Sequence, residues 1–227
     1  MKKYKNFYEV IKKVVTKKKP IVFDIGANKG QSIDGFRKLY PECFIHAFEP
    51  SKLEFDQLII NYKKNILINN LGVGDKNIHL NFYMTKGSAN SSFLEYKKGT
   101  PWLRDRAKYF NIASKKFIIS KKKVEVVTID SYCKKNDISF IDILKIDTEG
   151  FDAKVLIGAK SMILKNKIKL IEIEISLDSE EKQGVNNSIY DIEKKLIPFG
   201  YKICAIKTAP FNCKYNFGFG LDAIYTS

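Results

Sequence analysis

The stretch Ile21-Val22-Phe23-Asp24-Ile25-Gly26-Ala27-Asn28-Lys29-Gly30 constrains the fold more than any other part of the chain. Four residues suited to a buried strand lead into a turn of small residues. A run with helical spacing follows, Ile33, Phe36, Leu39 and Tyr40. Strand, glycine turn and helix in that order open a nucleotide-binding α/β unit. Glycine is needed there because the backbone must take positive φ and approach a ligand closely. A tight strand-to-helix turn needs glycine for structural reasons as well, so the turn alone does not assign a ligand.

Two acidic residues narrow the choice. A dinucleotide fingerprint would place Gly where Asp24 stands and would aim helix amides at a pyrophosphate. An aspartate there repels phosphate and suits a ligand that carries a cation. Glu49 closes the next apolar run, Cys43-Phe44-Ile45-His46-Ala47-Phe48, and so sits at the tip of a second strand. A carboxylate in that place accepts ribose hydroxyls. An adenosine with a cationic tail and no phosphates is S-adenosylmethionine, which becomes the expected cofactor. A purely structural turn and a nucleotide are the competing readings.

The length of 227 residues predicts one α/β domain with a substantial core. No run approaches a membrane span and no secretory pattern opens the chain. Cys43, Cys133, Cys204 and Cys213 lack paired Cys-x-x-Cys spacing, and only two histidines are present, which argues against zinc. Reduced cysteines and a cytoplasmic location are the expectation. The net charge of +15 is unevenly distributed. Residues 1–20 hold eight Lys against one Glu, and residues 97–123 hold ten Lys or Arg against one Asp, so the remainder is nearly balanced. These two segments either decorate solvated faces or meet an anionic partner such as a phosphorylated substrate, membrane headgroups or nucleic acid.

Tyr4, Phe7, Tyr8, Ile11, Val14 and Val15 recur at helical spacing, predicting a basic N-terminal helix within 1–19 that packs on the domain or lies on a membrane surface. Ser51 and Glu54 read as a capping box before Leu53, Leu58, Ile59 and Tyr62. Strands are expected at 65–70, 78–84, 124–129, 140–146, 170–175, 201–206 and 220–225. Ser131, Asp152 and Ser188 are read as helix caps. The order predicts a mostly parallel sheet with an antiparallel C-terminal edge and helices on both faces. Residues 86–123 match no period and read as an insertion, either a lid or a solubilising loop. Their mixture of aromatic and Arg residues argues against plain disorder.

Four blocks carry a resemblance: Asp24 to Gly30, Phe48-Glu49-Pro50-Ser51, Asn70-Leu71-Gly72-Val73-Gly74-Asp75, and Leu144-Lys145-Ile146-Asp147-Thr148-Glu149-Gly150-Phe151-Asp152. Together they resemble the FkbM family of S-adenosylmethionine-dependent methyltransferases, from about residue 20 to 177. The resemblance implies a Rossmann-like class I methyltransferase fold. It also implies cofactor contacts from Asp24, Gly26, Ala27, Asn28, Gly30, Glu49, Pro50 and Ser51, with Asn70, Val73 and Asp75 beside the adenine and Asp147 near the sulfonium. The acceptor it implies is a hydroxyl of a sugar or polyketide. The Asn/Asp-Pro-Pro-aromatic turn of enzymes that methylate base nitrogens is replaced by Asp147-Thr148-Glu149-Gly150.

Methyl transfer to a hydroxyl needs a group that takes the proton. Lys145, Asp147 and Glu149 stand at i, i+2 and i+4, so on an extended strand they would share one face. Glu172, Glu174 and Ser176 place further polar groups on one side of the next strand. Asp147, Lys145, Glu149 and Glu174 are therefore the catalytic candidates. Lys145 either forms an ion pair that holds Asp147 or takes part in proton chemistry. The three carboxylates could also hold a divalent cation. Ser91, Ser92, Trp102, Arg104, Arg106 and Tyr109 are the acceptor-binding candidates, with the arginines suited to the phosphates of a nucleotide-linked sugar. The expected function is O-methylation of a sugar or glycan precursor in surface-polysaccharide or related secondary-metabolite biosynthesis. The competing reading, from the basic charge, is a nucleic-acid-binding protein or RNA methyltransferase.

Overall fold

The computed structural model describes residues 7–176, 188–208 and 220–227. Tyr4 and Cys213 lie outside them, as does the side chain of Trp102. Seven strands form the main sheet: β1 (Ile21–Ile25), β2 (Phe44–Phe48), β3 (Ile66–Asn69), β7 (Ile141–Ile146), β8 (Ile168–Ser176), β9 (Lys202–Thr208) and β10 (Gly220–Thr226). Their spatial order is β3-β2-β1-β7-β8-β10-β9. The first five are parallel, and β10 runs antiparallel to both β8 and β9. This is the expected mostly parallel sheet with an antiparallel edge.

Both faces of this sheet are buried, so its strands read as continuous apolar runs. Phe23, Ile25, Phe48, Leu144, Ile146, Ile171 and Ile173 share one core, which includes residues of α5 (Ile129–Lys135), α6 (Asp152–Gly158), α7 (Lys160–Leu164) and α8 (Ile189–Leu196). Val22, Ile45, Ala47, Ile143, Leu170 and Ile224 face the other way. They pack with Ile11 of α1 (Phe7–Val14), Ile33 and Phe36 of α2 (Gln31–Leu39) and Leu58 of α3 (Lys52–Asn61). Ile11 is fully buried, which stabilises the docking of α1 by about 2 kcal/mol. Tyr40 Oη donates to the carbonyls of Ile11 (3.2 Å) and Val15 (2.8 Å), giving partners to backbone acceptors at the end of α1. The apolar stripe of the basic N-terminal helix thus faces the domain. No helix among the described residues is long and apolar enough to cross a membrane.

Residues 86–123 are more ordered in pattern than the sequence suggests. A second sheet, β4-β6-β5, joins β4 (Gly72–Val73), β6 (Ile118–Val127) and β5 (Ile78–Thr85). β6 begins six residues before the expected strand start. Its first half, Ile118 to Lys123, pairs with β5 on an exposed ribbon, where Lys121, Lys122 and Lys123 remain solvated and no apolar alternation is required. Helix α4 (Pro101–Tyr109) starts at Thr100, whose hydroxyl accepts from Leu103 N at 3.3 Å. It buries Leu103 and Ala107, too short a stripe to register as periodic. Tyr96, Leu103 and Phe117 form a small separate core under this segment.

Two cap assignments change, and a third keeps its residue but not its hydrogen bond. Thr128, not Ser131, caps α5, its hydroxyl accepting from Ser131 N at 3.1 Å. Phe151 occupies the cap position of α6, and the Asp152 carboxylate instead reaches back to the amides of Thr148 (3.0 Å) and Gly150 (3.1 Å). Ser51 does cap α3, but its hydroxyl donates to the Glu54 carboxylate rather than accepting from the backbone. α6 and α7 are separated at Ala159, just after Gly158, where an added Cβ would lie 1.9 Å from the carbonyl oxygen of Gly74. Cys43, Cys133 and Cys204 are free thiols.

Candidate active site

The C-terminal ends of β1 and β7 meet beneath a cavity of about 350 Å³, within the size range of small-molecule sites. The two loops touch at one backbone point. Gly26, at φ 86°, seats its Cα against the main chain of Asp147, and a Cβ there would fall 1.9 Å from the Asp147 carbonyl oxygen. Asp147 N donates to Ile25 O at 3.0 Å. Asn28 takes a left-handed conformation at φ 46°, which completes the turn into α2.

Glu49 extends from the tip of β2 and is 5% exposed. Oε2 accepts from Asn28 N (2.7 Å) and Oε1 from Ser51 N (2.8 Å), so one side chain ties the β1 turn to the start of α3. Each carboxylate oxygen keeps a second lone pair for a ligand hydroxyl. Burial pushes the Glu49 pKa up to about 7, against the lowering effect of the two amides. Asn70 Nδ2 donates to the carbonyls of Glu49 and Pro50, and thereby braces this loop from behind.

Asp24 is fully buried, accepts from Ser32 Oγ at 2.6 Å and faces Lys145 Nζ at 3.5 Å. Lys145 Nζ also lies 3.2 Å from Asp147 Oδ2. Burial presses the lysine pKa down, but the carboxylates of Asp147, Asp24 and Glu172 more than offset this and hold it above the ordinary lysine value. Lys145 therefore stays an ammonium at neutral pH. It can orient a carboxylate or donate to an acceptor oxygen, but it has no lone pair with which to take a proton.

β7 ends at Ile146, so the expected single extended face stops there. Glu149 turns to φ 54° and Gly150 to φ 96°, a loop that the buried Asp152 carboxylate holds through its two amide contacts. The outcome still brings the acids together. Oxygens of Asp147, Glu149 and Glu174 all lie within 4.8 Å of one another. Carboxylates gathered so closely repel unless a proton or cation is shared among them, and Lys145 supplies one cation beside Asp147.

The segment after β5 closes over this cavity at its start, not along its whole length. Ser88, Ala89, Ser91 and Phe93 line it. Ser88 Oγ donates to Asn28 Oδ1 at 3.2 Å, and Ser92 Oγ donates to Glu149 O at 3.0 Å, stapling the segment to both ligand loops. Arg104, Arg106 and Tyr109 belong to α4 and are not among the residues that line the cavity. Of the cofactor candidates, Gly26, Ala27, Asn28, Glu49, Pro50, Val73 and Asp147 line it. Asp24, Ser51 and Asn70 support those residues from behind. Gly30 packs against Tyr62, and Asp75 pairs with Lys154 at 3.4 Å. Lys145 and Glu149 line the cavity, and Glu174 reaches it through the carboxylate group just described.

Sequence reasoning did not place Tyr8, Ser32, Lys207 and Asp222 in the site. All four line the cavity, and Ser32 also donates to Asp24. Glu172 lines it as well, and its two-residue spacing from Glu174 on a strand was the only available signal.

The glycine turn pressed on the Asp147 backbone, the buried carboxylate at the β2 tip and the strand order around them are those of the Rossmann-like methyltransferase fold. Residues 24–203 match the methyltransferase FkbM domain, and the chain belongs to that family. The 2-O-methyltransferase NoeI of Sinorhizobium fredii (strain NBRC 101917 / NGR234) is 21% identical over 156 residues. That match covers 68% of this chain and 63% of NoeI, less than two thirds of the relative. Methyltransferase FkbM from Methylobacillus flagellatus KT is 16% identical, with a TM-score of 0.55 over 91% of this chain and 44% of that crystal structure's chain.

Proposed function

We propose that this methyltransferase acts on a hydroxyl of a sugar or glycan precursor, in surface-polysaccharide or related secondary-metabolite biosynthesis. The observation that carries the reading is the Lys145–Asp147–Glu149–Glu174 group at the end of β7 and β8, a set of proton acceptors oriented by a fixed cation. NoeI, a 2-O-methyltransferase by name, is similar over most of this chain and supports an oxygen acceptor. A family alone does not name a substrate, so the site chemistry has to.

S-adenosylmethionine, when bound, supplies an electrophilic methyl group. Glu49 is placed to accept the ribose hydroxyls and the Gly26–Asn28 turn to admit the ligand closely. Asp24, paired with Lys145 behind the cavity wall, holds that lysine in position rather than meeting the cationic tail. The chain's remaining task is to orient the acceptor oxygen, exclude water and remove its proton. Asp147, with its side chain 46% exposed, presents a carboxylate to an incoming hydroxyl. Its Oδ atoms take the hydroxyl proton, and Lys145 Nζ stabilises the carboxylate before transfer. Glu149 and Glu174 provide a second oxygen to which that proton can pass. The test is methyl transfer measured over a panel of free, glycoside and nucleotide-linked sugars, with and without chelator. Methylation confined to nitrogen acceptors would overturn the proposal, and loss of activity on chelation would add a cation to the carboxylate group.

A further inference from the structure

The cavity does not end at the reaction centre. It continues along the sheet, away from Glu49 and towards the antiparallel edge, where Glu172, Asp222, Lys207 and Tyr8 line it. Strand register sets Asp24, Lys145 and Glu172 in one row and Glu174, Asp222 and Lys207 in the next, both on the face covered by α1 and α2. Asp24 pairs with Lys145 and Lys145 with Glu172, while Asp222 pairs with Glu174 on one side and Lys207 on the other. Lys207 Nζ lies 3.1 Å from Asp222 Oδ2. Glu172 is 8% exposed, and its Oε2 has no hydrogen-bond partner among the described residues. A buried carboxylate oxygen without a donor is costly and is rarely left so unless a ligand or water completes it.

We infer that this recess between α1 and the β8–β10–β9 edge is a subsite for an uncharged polyhydroxyl ring of the acceptor, held by hydrogen bonds to Glu172, Asp222 and Lys207 and flanked by Tyr8. The inference rests on the hydroxyl-acceptor reading above and extends it to where the rest of the acceptor lies. Charge selects the ligand class. Five carboxyl groups line the cavity, Glu49, Asp147, Glu149, Glu172 and Asp222, against two lysines, Lys145 and Lys207. Burial pushes Glu49 and Glu172 up to about 7, so that both can also donate. A phosphate here would face acids on both β8 and β10. An ammonium would compete with the two lysines already paired to those acids. A neutral polyol supplies the donors that Glu172 and Asp222 require and accepts from Lys207 without adding charge. Tyr8, 40% exposed at the rim, offers a ring edge or face to the apolar side of a pyranose.

The experiment is binding, not turnover. Methyl hexopyranosides and 6-deoxyhexopyranosides, the corresponding sugar 1-phosphates and hexosamines are titrated into the full chain saturated with S-adenosylhomocysteine, by calorimetry and ligand-observed NMR. Neutral pyranosides are expected to bind. Glu172→Gln and Asp222→Asn should each weaken them about tenfold or more, as expected when a hydrogen bond to a charged group is lost. S-adenosylhomocysteine affinity should change less than twofold, roughly the resolution at which such a bond would be noticed. The Asp222 variant, at a half-exposed position, keeps the test open if the Glu172 variant fails to fold. Binding of neutral sugars that both variants leave unchanged overturns the subsite. So does binding confined to phosphorylated or amino sugars, or no binding by any neutral pyranoside. If a phosphorylated sugar is then methylated on oxygen, the proposed function stands and only this subsite falls. If S-adenosylhomocysteine itself does not bind, the failure lies with the earlier reading.

Discussion

At Glu49, two backbone amides draw on the lone pairs of one buried carboxylate, and the proposed ribose contact would use those that remain. Burial raises its pKa to about 7 from an ordinary value of 4.5. The folded protein without ligand therefore favours the protonated form, and this contribution to stability is lost as pH rises through about 7. Accepting two hydroxyls favours the ionised form. S-adenosylhomocysteine should accordingly bind more tightly as pH rises from 6 to 8, releasing a proton at the lower end, as calorimetry in buffers of different ionisation heat would measure. Glu49→Gln should weaken binding by about 1.5–3 kcal/mol and flatten that pH dependence. Unchanged affinity in the variant would remove Glu49 from the ribose contact. Asp147→Asn makes the opposite demand. Turnover should fall about 10²- to 10⁴-fold, the usual worth of a positioned base, with cofactor affinity nearly intact. Equal losses of both would reassign Asp147 to cofactor binding or folding.

Among the elements, the β1 turn and the loop after β7 act as a pair because Gly26 leaves no room between them. Gly26→Ala places a Cβ 1.9 Å from a backbone oxygen at a φ that alanine rarely adopts. Both loops must move, and the variant is expected to lose S-adenosylhomocysteine binding and several degrees in melting temperature together. A melting point equal to wild type with normal binding would show the contact to be slack. These two elements were legible from sequence because their strands are buried on both faces, and only long apolar runs satisfy that. The first half of β6 was not, since Lys121, Lys122 and Lys123 are exposed and hold their place through β5 rather than a core. Among its described side chains helix α4 buries Leu103 and Ala107, too short a stripe to give a readable period. The Asp147–Glu149–Glu174 grouping was legible as a set of residue types. Its geometry was not, because Glu149 reaches it through a left-handed turn set by Asp152, four residues from Thr148. The outer recess was illegible for another reason. Tyr8, Glu172, Lys207 and Asp222 come from four distant segments, and only strand order brings them together.

For the molecule as a whole, strand order also sets a timetable. β10, the strand latest in the sequence, lies inside the sheet between β8 and β9. As the chain leaves the ribosome, β1, β2, β3, β7 and β8 can pair in turn, while β9 has no partner until β10 has been made. The open edge of β8 is meanwhile a template for other chains, with Ile171, Ile173 and Ile175 along it. Loop closure over this distance is slow relative to local pairing. A chain cut after Thr208 is expected to keep helix content yet lose cooperative melting and aggregate. Sharp two-state melting of a monomeric 1–208 fragment would show that the sheet closes without its interior strand. β10 also carries Asp222 to the outer end of the cavity, so the pairing that seats β9 and the completion of this end of the site depend on one strand.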